Sequence, residues 1–300
     1  MPRSTNPYHP KQLPLWLLFG LLRLIVFLPI PFLLWLGRGT GRLLMRLSKR
    51  RHHIAITNIQ LAFPELSADE QKQLVKRHFE SVGMALFEMV IGWWSSSRRL
   101  EEISQIDGLE NLLAAQKKGG VIIMGAHFTT LDIMGRFLSL KARFDVTYRR
   151  NENPVIEKMF HDNREKNFEM AIVREDARSM LKNLKKGNTI WFAPDQNYAH
   201  KHSVFSPFFG VNAATTTAMS RFTKTTGASL VPLFFQRLDD HGHYRLRLLP
   251  ALEDFPSDDP QKDTDRINQL MEEYIRLCPE QYLWIHRRYK DRPQGEASLY

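Results

Sequence analysis

A histidine and an aspartate five residues apart, His127 and Asp132 in the string HFTTLD, follow the apolar run VIIMG. Neutral imidazole takes up a proton near physiological pH, and a neighbouring carboxylate fixes its tautomer and stabilises the imidazolium. At a strand-to-helix turn, these two residue types suit activation of a hydroxyl group. The same spacing also fits ordinary hydrogen bonds at a helix end, so the pair alone leaves both readings open.

Other chemically capable residues fall at comparable places. Arg149 and Arg150, in YRRNENP, follow a strand-like run and fit either a bidentate phosphate grip or a solvated surface. Asp195, in PDQ, suits the orientation of an arginine or a sugar hydroxyl, or a plain turn. Ser206 to Gly210 (SPFFG) reads as a wall for an acyl chain or as core. Trp284 to Arg288 (WIHRR) offers anion contacts or a basic strand tip. The pairs His200/His202 and His241/His243 have metal-compatible spacing but no further ligands nearby, and they read as solvated loop residues. No metal and no chain-bound cofactor are implied.

The elements that must position these residues alternate in type, which predicts an α/β domain over 104–300 built as a mixed sheet flanked by helices. Strands are expected at 121–125, 144–148, 189–193, 229–235 and 244–249, with helices at 131–140, 154–167, 176–186, 214–225 and 264–277. Upstream, SADE at Ser67 to Glu70 is a capping-box pattern that should start a helix running to about Ile91. The pair Trp93-Trp94 at its end fits core or a membrane interface equally. If the sheet is open, its strand carboxyl ends collect ligands, and His127 sits just past one.

Leu13 to Leu36 carries Arg23 as its only charge. As one helix it would measure roughly 36 Å at about 1.5 Å per residue, long enough for a bilayer. Residues 1–37 are therefore expected to form a single membrane anchor, spanning or monotopic, because Pro29 and Pro31 would allow a kink. The basic run Arg38, Arg42, Arg46, Lys49, Arg50 and Arg51, against Arg3 and Lys11 before the stretch, places the downstream chain on the cytoplasmic side. Residues 38–103 then form a basic juxtamembrane and helical segment, with Gly41 to Arg51 lying on the lipid surface. The formal charge of +10 calls for an anionic partner, and the apolar stretch favours lipid over nucleic acid, for which no motif is present. A single cysteine, Cys278, excludes an intramolecular disulfide and fits a reducing compartment.

Taken in order, HFTTLD at 127–132, YRRNENP at 148–154, PDQNY at 194–198, FSPFFGV at 205–211, TTT at 215–217 and WIHRRYKDRP at 284–293 resemble the lipid A late acyltransferases. The chain looks like a lauroyltransferase of that family, one acting on Kdo-bearing lipid IVA. The likeness covers nearly the whole chain, whereas HxxxxD alone is shared with glycerolipid acyltransferases. It implies a glycerolipid-acyltransferase-like fold and an inner-membrane enzyme that passes an acyl chain, lauroyl by preference, from acyl carrier protein to a hydroxyacyl group of Kdo-bearing lipid IVA. By the same resemblance His127 and Asp132 are catalytic, with Asp132 orienting the ring, while Arg149 and Asp195 bind substrate. Arg150 replaces a common proline, and Gln196-Asn197 falls at a variable pair, which bears on substrate preference. Two other classes fit the residues: a glycerolipid or lysophospholipid acyltransferase, and a noncatalytic basic protein docking on membrane surfaces.

Overall fold

The structure, a computed structural model, describes residues 6–198 and 201–300, so Arg3 and His200 lie outside the described residues. The apolar amino-terminal stretch is not one helix. It divides into α1 (Leu13–Ile25) and α2 (Ile30–Leu47), and no helix of the described residues is long and apolar enough to cross a membrane. This corrects the expected spanning anchor, and the cause is local. Pro29 lacks an N–H and takes an extended conformation at the start of α2, so the ladder of α1 cannot continue through it. The carbonyls freed at the break, those of Val26 and Leu28, accept from the Arg99 guanidinium.

Helix α3 (Lys49–Ala62) leads to α4 (Ala68–Trp94), which begins where the capping box requires. The Ser67 hydroxyl accepts the Glu70 N–H at 3.3 Å, and the Glu70 carboxylate accepts the Ser67 N–H at 2.8 Å. Helices α2 and α4 cross at glycines: a side-chain carbon on Gly41 would overlap the Phe79 carbonyl, and one on Gly83 would overlap the backbone of Gly37 and Gly41. The amino-terminal pair is thereby fastened to the rest of the molecule, and the boundary expected at residue 37 falls inside α2.

After α5 (Ser97–Glu102), the chain follows β1 (Ser104–Asp107), α6 (Leu109–Lys118), β2 (Val121–Met124), α7 (Leu131–Ser139), β3 (Asp145–Tyr148), α8 (Pro154–Asn167), β4 (Ala171–Val173), α9 (Ala177–Lys185) and β5 (Thr189–Phe192). The hairpin β6 (Ser203–Phe208) and β7 (Val211–Thr216) comes next, then α10 (Ala218–Thr226), β8 (Ser229–Arg237), β9 (Tyr244–Leu248) and α11 (Pro260–Leu277). Seven strands form a mixed sheet in the order β1-β9-β8-β2-β5-β3-β4, antiparallel only between β8 and β9. The central strand β2 is buried along its whole length, as a strand covered on both faces must be.

The helix expected at 214–225 begins later, because 211–216 pair with β6. Phe209 and Gly210 both hold positive φ, 51° and 73°, and reverse the chain there. The β-branched run Thr215 to Thr217 suits the strand better than a helix. Phe208 and Phe209 are buried in the main core, which realises the core reading of SPFFG. A second, smaller cluster joins Phe19 of α1 to Trp93 and Val155, so α1 leans over the end of α4 and the start of α8.

Candidate active site

Parallel pairing of β2 with β5 sets Met124 opposite Phe192. His127 and Asp195 each lie three residues beyond that rung, at neighbouring strand carboxyl ends, and equal offsets bring them together. His127 Nδ1 lies 2.7 Å from Asp195 Oδ1, and the His127 backbone N–H donates to Asp195 Oδ2 at 2.9 Å. The carboxylate that meets the ring is Asp195, a correction to the expectation that Asp132 would do so. The physical reason is the register: Asp132 lies in the first turn of α7, while the sheet delivers Asp195 directly beside β2.

Asp195 is 1% exposed and His127 25% exposed, so the carboxylate is sealed and the imidazole retains an open edge. Burial works against charge on both, yet the pair overcomes it. Desolvation would lower the His127 pKa, but the charge of Asp195 and its hydrogen bond raise it above the ordinary 6.5. For Asp195, burial would raise the pKa, while the His127 charge, the two hydrogen bonds and Arg288 bring it down to about 2. With Nδ1–H engaged by the carboxylate, Nε2 is the nitrogen left to accept a proton. A second imidazole, His286, is pushed down to about 4 chiefly by burial and stays neutral, its Nε2 accepting the Asn197 N–H at 3.1 Å.

Asp132 belongs to a different arrangement. Its side chain is exposed to solvent, yet the crowded pocket beside it raises its pKa by desolvation, opposed by the charge of Arg164. Both residues line an apolar pocket of about 720 Å³, open mouth included, whose walls include Trp93, Leu138, Phe144, Phe160 and Trp191. The Arg164 guanidinium stands 5.0 Å over the rings of Tyr148 and Phe160, and its Nη1 has no hydrogen-bond partner among the described residues. Trp191 connects the two arrangements, since its ring lines the pocket and meets the His127 ring edge-on at 6.1 Å. Sequence reasoning passes over Arg164, which sits on a helix that shows no motif. Its signal is the buried face of α8, where an arginine has to find a carboxylate.

Arg149 is exposed just past the carboxyl end of β3, the strand next to β5. Arg174 follows β4 in the same way, with Tyr148 opposite Val173, and its charge reaches His127. The carboxyl-terminal segment closes the site from the other side. Leu283 N–H donates to the His127 carbonyl at 3.0 Å, Thr129 N–H donates to the Gln281 carbonyl at 2.7 Å, and Phe128 pairs with Tyr282 as an antiparallel bridge. Arg288, fully buried, donates to the Ala214 carbonyl at 2.8 Å and Thr215 Oγ1 at 2.6 Å, so the first hydroxyl of the TTT run and the carbonyl before it anchor a cation that stabilises Asp195. Of the four expected site residues, the structure brings His127 and Asp195 into contact, puts Asp132 in the adjoining pocket and leaves Arg149 on the rim.

A model of the bacterial lipid A biosynthesis acyltransferases matches residues 1–291. The chain belongs to this family. It is 38% identical to the lipid A biosynthesis lauroyltransferase of Escherichia coli (strain K12), covering 99% of this chain and 98% of that protein. It is 39% identical to the lipid A biosynthesis palmitoleoyltransferase of the same strain, covering 99% and 97%. These family members differ in the acyl chain they are named for, so identity at this level does not single out a chain length. Among solved structures, the 1-acyl-sn-glycerophosphate acyltransferase PlsC from Thermotoga maritima is similar with a TM-score of 0.39 at 14% identity, over 79% of this chain and 97% of that one. As a lipid A acyltransferase family member, the chain is an acyltransferase, and its structure sets an imidazole–carboxylate pair beside an apolar pocket.

Proposed function

We propose that this acyltransferase moves a fatty acyl chain, lauroyl by preference, from acyl carrier protein to a hydroxyacyl group of Kdo-bearing lipid IVA. The observation carrying the reading is the His127–Asp195 pair at the edge of an apolar pocket. His127 Nε2 takes the proton of the acceptor hydroxyl as that oxygen attacks the thioester carbonyl. Asp195 holds the ring and stabilises the imidazolium. The N–H groups of Asp132 and Ile133 in the first turn of α7 and the unpartnered Nη1 of Arg164 are the donors we assign to the developing oxyanion. Collapse of the tetrahedral intermediate forms the new ester and expels the carrier thiolate, which receives the proton from His127. The pocket between Trp93 and Phe168 holds the acyl chain, and Arg149 grips a phosphate of the acceptor from the rim.

Membrane association needs no spanning helix. Leu17 (66% exposed), Leu21, Leu24, Phe27 (81% exposed), Phe32 and Trp35 form an apolar face on α1, α2 and their junction. That face suits insertion into one leaflet, with the basic residues of α2 and α3 at the headgroups. Because α1 also packs against Trp93, the inserted face lies next to the pocket wall. We place the enzyme at the inner membrane with its sheet on the cytoplasmic side, where acyl carrier protein is found.

The test uses the purified full chain, carrier thioesters of several lengths, lipid IVA with and without Kdo, and lysophosphatidic acid as the competing acceptor. Products identified by mass should show one added acyl chain on the Kdo-bearing acceptor and fastest transfer of lauroyl. Transfer to lysophosphatidic acid alone would refute the acceptor. Flotation with vesicles should be lost in a Leu17→Asp/Phe27→Asp variant.

A further inference from the structure

The turn that carries His127 is gripped from behind by a buried polar network to which the proposed reaction assigns no role. Glu88, on α4, accepts from Arg237 Nε at 2.6 Å and Nη2 at 2.8 Å, and from the Tyr244 hydroxyl at 2.8 Å. Arg237 Nη1 donates to Ser81 Oγ at 3.2 Å, and Ser81 Oγ lies 2.6 Å from Thr129 Oγ1. A second limb returns to the same residue. The Arg237 backbone N–H donates to Gln281 Oε1 at 2.8 Å, Gln281 Nε2 donates to the Arg237 carbonyl at 3.0 Å, and the Gln281 carbonyl accepts the Thr129 N–H. Glu88, Arg237, Ser81, Gln281 and Thr129 are all buried.

We infer that Glu88, Arg237, Ser81 and Gln281 are positioning residues, which hold Thr129 by both its hydroxyl and its N–H and so fix the height at which His127 presents Nε2. Two features favour this over a purely stabilising role. The network ends on Thr129, two residues after His127, and it binds that residue twice. Asp195 fixes the His127 ring and N–H from the opposite side, which leaves the 127–129 turn no free direction. A guanidinium with two carboxylate bonds is also a rigid base for a hydroxyl relay, since its planar fork allows one orientation. Misplacing a reacting group by about 1 Å costs on the order of 10²-fold in rate, so small slack in this turn should register in kcat.

The inference rests on His127 being the base, and the experiment separates the two. Thr129→Val and Ser81→Ala each remove one end of the hydroxyl link, Thr129→Ser keeps it, and His127→Ala is measured beside them with the carrier thioester and lipid acceptor. The expected result is a kcat loss of about 10-fold in Thr129→Val and Ser81→Ala, KM within about 2-fold, near-complete recovery in Thr129→Ser, and a double variant no slower than the slower single one. Unchanged kcat per folded molecule in Thr129→Val and Ser81→Ala, with His127→Ala inactive, would overturn the positioning role alone. Full activity in His127→Ala would overturn the base assignment and this inference with it. Should Thr129→Val fail to fold, Ser81→Ala, the loss of one oxygen, decides the question.

Discussion

Two aspartates, one sealed against His127 and one exposed at the adjoining pocket, meet opposite fates. Asp195 borders the sheet, takes two hydrogen bonds from His127 and has its pKa drawn down to about 2 against the pull of burial. Asp132 borders the apolar pocket, where desolvation prevails over Arg164 and raises its pKa. Proximity in sequence links His127 to Asp132, but proximity across the sheet links it to Asp195. The lesson concerns which carboxylate can serve an imidazole. That carboxylate is the one within hydrogen-bond reach of the ring, which is Asp195.

The largest test of that contrast is His127→Ala, which should lower kcat by about 10³–10⁴-fold in a folded protein, measured with saturating carrier thioester. Asp195→Asn should cost roughly 10²–10³-fold and shift the pH profile in a defined direction. In the native enzyme the raised pKa of His127 means that activity is lost on acidification with a midpoint above 6.5, since the protonated ring is no base. Removing the Asp195 charge lets burial act alone, and the midpoint should move to lower pH. Asp132→Asn should be milder, about 10-fold, and should leave the midpoint where it is. A shift there equal to that of Asp195→Asn would erase the distinction. Smallest of all is His286→Gln, expected within about 2-fold with an unmoved acid limb, because that imidazole is neutral through the working range.

Much of this arrangement is legible in the chain, and the failures are instructive. Apolar β-branched runs locate β2, β3, β5, β8 and β9 to within one or two residues, and α8 matches its expected span. His127 is correctly placed past a strand end. Its partner is obscured because spacing along the chain says nothing of strand order, and β2 meets β5 only after an intervening α7, β3, α8, β4 and α9. The hairpin β6–β7 is hidden by two phenylalanines that belong to the core, and by a threonine run continuous with the next helix. At the amino terminus, hydropathy extends over a length that Pro29 does not allow one helix to occupy. The proline pair signals a kink, and the break is complete.

The rung between residues 127–129 and 281–283 has a consequence for biosynthesis. Translation must pass Leu283 before the backbone of His127 can be closed, and Arg288 before the cation behind Asp195 is in place. A nascent chain can thus carry its finished apolar amino-terminal helices while its centre is still unassembled, so the His127–Asp195 pair is completed only when nearly the whole chain has been made.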